Sequence, residues 1–253
     1  MNGIRAKCKK RLTRGVHYLK DKIGLPVNYT DAEFSAFKKS LDWSSLPHDR
    51  IRLLCVIFNN QNDHIKTYIS EAEEIAIEEK NELSRDAFRG VGNPMGRTDR
   101  ITLYAAIRAA RPKVVLETGT AAGASATYIL EALERNGEGC LYSVDVEHKD
   151  RLSGRLIPEH LRPRLHIRTG DSLSVLPALL KEAGNVDFFL HDSLHTYMHM
   201  MAEYEMVYRH MRYGGVICSH DVLLTNAWKH FIKRYRLHRW GMVKNLGICL
   251  IEN

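Results

Sequence analysis

The chain predicts an α/β protein: a doubly wound, mostly parallel sheet of about seven strands behind an N-terminal helical extension. Two patterns carry that reading. From Lys113 onward, short buried apolar runs alternate with longer amphipathic ones, as in strands joined by crossover helices. Several of the apolar runs also end in an acid or a histidine, at the strand ends where open α/β sheets place their ligands.

Taken in order, Ile4, Cys8, Leu12, Val16, Leu19 and Ile23 recur at helical spacing, and the opposite face is basic. Such a stripe fits a terminal helix docked on its own domain or on a second subunit. It also fits a surface helix resting on an anionic lipid surface or an acidic partner. Residues 30–90 read as helical cap material without chemistry. Thr30 and Glu33 have the spacing of a capping box, and Ile65 to Leu83 is helix-prone. Glutamates at 71, 73, 74, 78, 79 and 82 read as its solvated face. Gly90, Gly92, Asn93, Pro94 and Gly96 mark a loop, which divides a helical extension or cap (1–92) from the sheet domain (93–253).

A short helix over 101–110 leads into the sheet. Strands are expected at 113–117, 139–146, 165–169, 186–190 and 216–219, with a terminal hairpin at 242–245 and 248–251. Helices are expected at 125–135, 172–182, 197–211 and 225–236.

Size and composition agree with a globular protein: 253 residues, 44% apolar and 26% charged. No apolar run approaches the roughly 20 residues that span a bilayer. The basic N-terminus lacks a following apolar segment, so a cytoplasmic location is expected. Cys8, Cys55, Cys140, Cys218 and Cys249 are scattered, without a C-x-x-C pair, and read as reduced thiols. The net charge of +7 is uneven: residues 1–22 hold eight Lys or Arg against Asp21, and the remainder balances. A nucleic-acid enzyme would spread its basic surface around the site, so no nucleic-acid partner is expected.

The most specific segment runs from Val114 to Ser125. A buried strand ends in Glu117, then Gly119 and Gly123 bracket a turn of small residues that includes Thr120, and a helix follows. Glycines there allow close approach to the backbone, and the helix N-terminus offers N–H groups to an anion. The spacing E-x-G-x-x-x-G lacks the third glycine of a dinucleotide-binding turn, which disfavours a nicotinamide oxidoreductase. Asp145 ends the second strand, where a carboxylate accepts hydrogen bonds from ribose hydroxyls. Asp171 ends the third; it serves either a ligand or simply the N-cap of the helix opening at Ser172.

These residues resemble the first motif of the class I S-adenosylmethionine-dependent methyltransferases, whose fold is Rossmann-like. The resemblance covers roughly residues 94–253. It implies that Glu117, Gly119, Thr120 and Gly123 line the methionine end of the cofactor, that Ser125 reaches its carboxylate, that Asp145 holds the ribose and that Asp171 meets the adenine.

A second cluster runs from Val186 to Tyr197 and includes His191, Asp192 and His195; a third, from Tyr213, ends in His220 and Asp221. Adjacent strand ends would gather Asp192, His195, His220 and Asp221 in one mouth. The pattern resembles the small O-methyltransferase branch that contains catechol-type, natural-product and sugar enzymes. That resemblance implies Asp192, His220 and Asp221 as ligands of a divalent cation, magnesium or manganese, and His195 with Asp192 as the catalytic pair. His220 departs from the acidic residue usual in the branch and suits a transition ion better than magnesium. His191, His195 and His199 are four apart, but a zinc site on one helix is disfavoured because His191 lies at a strand end.

The leading expectation is an S-adenosylmethionine-dependent O-methyltransferase acting on a hydroxyl of a small molecule, a sugar or secondary metabolite, as a homodimer. The alternative is a non-catalytic S-adenosylmethionine-binding or scaffolding protein.

Overall fold

A computed structural model describes residues 49–59, 62–82, 94–146 and 153–252. The basic helix expected over residues 1–22, the capping box at Thr30 and the loop at 90–93 lie outside the described residues. The first described elements are helices α1 (Arg50–Phe58), α2 (Asn62–Glu82) and α3 (Arg97–Ala110). Then follow β1 (Val114–Thr118), α4 (Ala124–Asn136), β2 (Cys140–Asp145), a 3-10 turn (Glu159–Arg164) and β3 (Leu165–Thr169). The chain continues through α5 (Ser172–Ala183), β4 (Val186–His191), α6 (Tyr197–Tyr208), β5 (Met211–Ser219), α7 (Ala227–Arg234), β6 (Trp240–Val243) and β7 (Leu246–Leu250).

The seven strands form one sheet in the order β3-β2-β1-β4-β5-β7-β6. β1 to β5 pair in parallel, and β7 alone runs the other way, antiparallel to both β5 and β6. This is the doubly wound, mostly parallel Rossmann-like sheet expected from the sequence. The order reverses between β1 and β4, so their C-terminal ends splay around a crevice, the usual ligand position in such sheets. Val115, Leu116, Phe188, Phe189 and Leu190 are fully buried, as strands covered on both faces require.

α1 and α2 share the core of the sheet domain: Leu53, Leu54, Ile57, Ile65 and Ala72 pack in one cluster with α3 and α4. The described helices α1 and α2, which precede the break in sequence pattern near residue 92, thus share apolar packing with the elements after it. Glu71 also departs from the solvated face expected of it. Its carboxyl accepts hydrogen bonds from the Tyr104 hydroxyl at 2.8 Å and from Arg108 Nε at 2.9 Å, pinning α2 to α3.

α6 stops at Tyr208, three residues earlier than expected, because Met211 joins β5 opposite Val186. The register then shifts between Val186 and Phe188, an irregularity that Gly214, at φ 77°, accommodates.

Candidate active site

The strand ends bring the site residues together through backbone hydrogen bonds. Gly119 N donates to Val144 O, Asp192 N to Thr118 O and His220 N to His191 O, at 2.8 to 2.9 Å. The turns after β1, β2, β4 and β5 therefore sit side by side.

Glu117 is fully buried at the end of β1. Its carboxyl accepts from Ser125 Oγ and Ser143 Oγ, each at 2.6 Å, and Thr120 Oγ1 meets Ser143 Oγ at 2.5 Å. Burial, against those two hydroxyl donors, raises the Glu117 pKa to about 7, and the nearby Asp192 and Asp145 add to the rise. Asp145 Oδ2 accepts from Ala121 N at 2.7 Å and Ser153 Oγ at 3.1 Å, tying the first turn to the second strand.

The glycines meet a steric requirement within the chain. A Cβ on Gly119, at φ 95°, would collide with the carbonyl oxygen of Asp192, and one on Gly123, at φ 102°, with Ile157. Gly119→Ala should therefore destabilise the fold by about 2 kcal/mol or more, read as a lower denaturant midpoint. Gly123 caps α4 without any side-chain hydrogen bond, which leaves the first-turn N–H groups free for an anion. Asp171 is exposed and caps α5 by accepting from Ser174 N, so its observed contact is the helix cap.

At the reaction end, Asp192, His195 and His220 form one cluster, with one donor atom from each within 4.8 Å of the others. His220 Nδ1 lies 2.9 Å from Asp192 Oδ1. His195 Nε2 lies 3.4 Å from the same oxygen, an ion-pair approach without hydrogen-bond geometry. Asp221 stands at the rim, 3.9 Å from His220 Nδ1 and outside the cluster, in a left-handed conformation with φ 53°. Burial disfavours the charged imidazole of His220, but Asp192 and Asp99 outweigh it and push its pKa up to about 10.

Sequence reasoning missed two residues. Asp99, on the first turn of α3, places Oδ2 3.6 Å from His220 Nε2. It precedes the span expected to be helical, and nothing in its spacing marks it. Glu203, on α6, is fully buried beneath the site. It accepts from Thr118 Oγ1 and His191 Nδ1 at 2.6 Å, Ser193 Oγ at 2.7 Å, His199 Nε2 at 2.8 Å, and Ser172 Oγ. His191 and His199 thus bind a carboxylate while His195 faces Asp192, which dissolves the three-imidazole zinc set. The i,i+4 pair His199–Glu203 was the one local trace of this network.

Residues 116–222 match the family model described as a methyltransferase domain. The catechol O-methyltransferase of Niastella koreensis is 25% identical over 138 residues, covering 54% of this chain and 62% of that protein. The chain therefore matches less than two thirds of that relative's length. The structure of TomG, an O-methyltransferase from Streptomyces achromogenes in complex with SAM, superposes with TM-score 0.54 at 17% identity, over 74% of this chain and 90% of TomG. An O-methyltransferase from Bacillus cereus in complex with SAH gives TM-score 0.53 at 15% identity, over 74% of this chain and all of that one. At these identities the structures establish the shared fold.

Proposed function

Taking residues 116–222 as a methyltransferase domain, we propose that the protein is an S-adenosylmethionine-dependent O-methyltransferase acting on a hydroxyl of a small molecule. One observation supports the reading: backbone hydrogen bonds set the Glu117–Ser125 turn and the strand end at Asp145 side by side with the strand ends that carry Asp192, His195 and His220.

The residues fit the cofactor. The uncapped N-terminus of α4 suits an amino-acid carboxylate, Glu117 its ammonium end, and Asp145 the ribose hydroxyls. When bound, the cofactor supplies an electrophilic methyl group on a sulfonium sulfur. The chain holds the acceptor in line with that methyl group; such positioning is worth roughly 7–11 kcal/mol in a near-attack geometry. The His195 imidazole takes the acceptor's hydroxyl proton, and Asp192, at 3.4 Å, stabilises the resulting imidazolium. Asp145→Ala should weaken binding of S-adenosylhomocysteine by roughly tenfold or more in calorimetry, since a carboxylate hydrogen bond contributes about 1.5–3 kcal/mol.

The donor set also fits a divalent cation. Asp192 and His220 would hold it, with Asp221 reaching in from the rim, and it would acidify and orient the acceptor hydroxyl. Imidazole donors favour manganese, iron or zinc over magnesium. Activity should therefore fall on rigorous chelation and return further with manganese than with magnesium; chelation without effect would remove the cation from the reaction.

Among the described residues, no helix is long and apolar enough to cross a membrane. The reading places the protein in the cytoplasm as a homodimer, with the basic residues 1–22 available to an acidic partner or lipid surface. Light scattering coupled to size exclusion checks the pairing.

A further inference from the structure

We propose that the end of the sheet opposite the candidate active site is a docking face for an anionic lipid surface, through Arg209, Tyr213, Lys233 and Arg236. The proposal goes beyond the methyltransferase reading and does not depend on it.

The charge of this end begins in the sequence: between Asp221 and Glu252 there is no acid, against six Lys or Arg. The fold gathers part of that stretch with the start of β5. Tyr208, the last residue of α6, and Tyr235, just past α7, have ring centroids 4.0 Å apart, so the helix ends that carry Arg209, Lys233 and Arg236 meet there. The neighbouring acids are already paired: Glu205 with Arg234, Asp187 with Arg212 at 3.1 Å and Glu252 with Arg239 at 3.2 Å. Arg209, Lys233 and Arg236 are exposed and form no ion pair among the described residues, so their positive charge is left to a partner.

Two further features favour lipid over a nucleic acid or an acidic protein. Tyr213, near the start of β5, is 77% exposed. A tyrosine standing out beside basic side chains is suited to the headgroup level of a bilayer, where its ring is half in hydrocarbon and its hydroxyl in water. Tyr213 and Arg239 also line a cavity of about 350 Å³, whose walls are Ile57, Phe58, Ala109 and Leu250. Gly214 N donates to Ile251 O at 2.8 Å and keeps Tyr213 against that wall, while the turn from Arg236 to Arg239 joins the basic cluster to it. Such a hollow accepts a hydrocarbon segment, whereas a purely ionic partner would leave it empty. β5 runs from Met211 at this face to Ser219 at the site, roughly 25 Å at about 3.3 Å per residue. The cluster of Asp192, His195 and His220 therefore lies on the side away from the lipid.

Cosedimentation of the full chain with vesicles of phosphatidylcholine and phosphatidylserine, against phosphatidylcholine alone, tests the face. The wild type should bind the anionic vesicles, and more weakly as salt is raised. Each basic side chain near an anionic surface contributes a factor of about five, so Arg209→Gln, Lys233→Gln and Arg236→Gln together should weaken binding about 100-fold. Tyr213→Ala should weaken it about threefold or more while leaving its salt dependence as it was. Both variants should keep the wild-type melting temperature, because all four side chains are exposed. Wild-type protein that binds both kinds of vesicle equally, or neither, overturns the proposal. So does a triple variant that binds the anionic vesicles as the wild type does, which would move the contact to another part of the chain, such as the basic residues 1–22. A single-stranded oligonucleotide that displaces the wild type from the vesicles and binds it more tightly would make the face a nucleic-acid site and overturn it equally.

Discussion

His195→Ala should lower kcat by about 10²–10⁴-fold, the usual contribution of a general base. The affinity for S-adenosylhomocysteine should stay within about twofold of the wild type, because the predicted cofactor contacts lie on the turns after β1 and β2. The geometry supports that separation. His195 sits between β4 and α6, its ring edge-on to His191 at 5.2 Å and to His220 at 6.1 Å. His220 is a poor substitute base, because its two ring nitrogens already face carboxylates, Nδ1 at 2.9 Å from Asp192 and Nε2 at 3.6 Å from Asp99. Rapid-quench measurement of methyl transfer with saturating cofactor would separate the chemical step from binding. Wild-type turnover in the alanine variant would place the base elsewhere.

Local chemistry made much of this architecture readable. β1 and its turn are a buried run, an acid and two glycines within ten residues, and each feature constrains the next. The strand ends at Asp145, Asp192 and His220 were legible for the same reason: an apolar run stopping at a polar residue marks where a strand leaves the core. What stayed hidden depends on contacts between distant segments. Glu71 looked like one of a series of surface glutamates, and only the approach of α3 gives it Tyr104 and Arg108. The glycines of the turn were read as making room for a ligand, whereas Gly119 is also required by the Asp192 carbonyl of another strand. Asp221 was expected in the cluster beside its neighbour. Its left-handed backbone, φ 53°, leaves it at the rim, and no sequence pattern announces that conformation outside glycine.

Glu203→Ala should destabilise the protein by about 3–5 kcal/mol, the cost of leaving buried donors without their charged partner. The carboxylate joins the end of β1 through Thr118, the end of β4 through His191, the start of α5 through Ser172 and the following loop through Ser193. Its removal frees all of those donors at once. Burial by itself would raise the Glu203 pKa, but His191 and His199 outweigh burial and hold it well below the usual carboxylate range. The sign follows from linkage. A carboxyl whose folded pKa is depressed adds stability that is fully present above its unfolded value. That stability is lost as pH falls through the folded value. The difference in unfolding free energy between wild type and Glu203→Gln should therefore be constant near neutral pH and shrink once the pH drops below the ordinary carboxylate pKa, 4.5. Denaturant melts across that range decide the matter. A difference that stays level into acid would mean that Glu203 acts through its shape and hydrogen-bond count, and that its negative charge is not what binds the strand ends together.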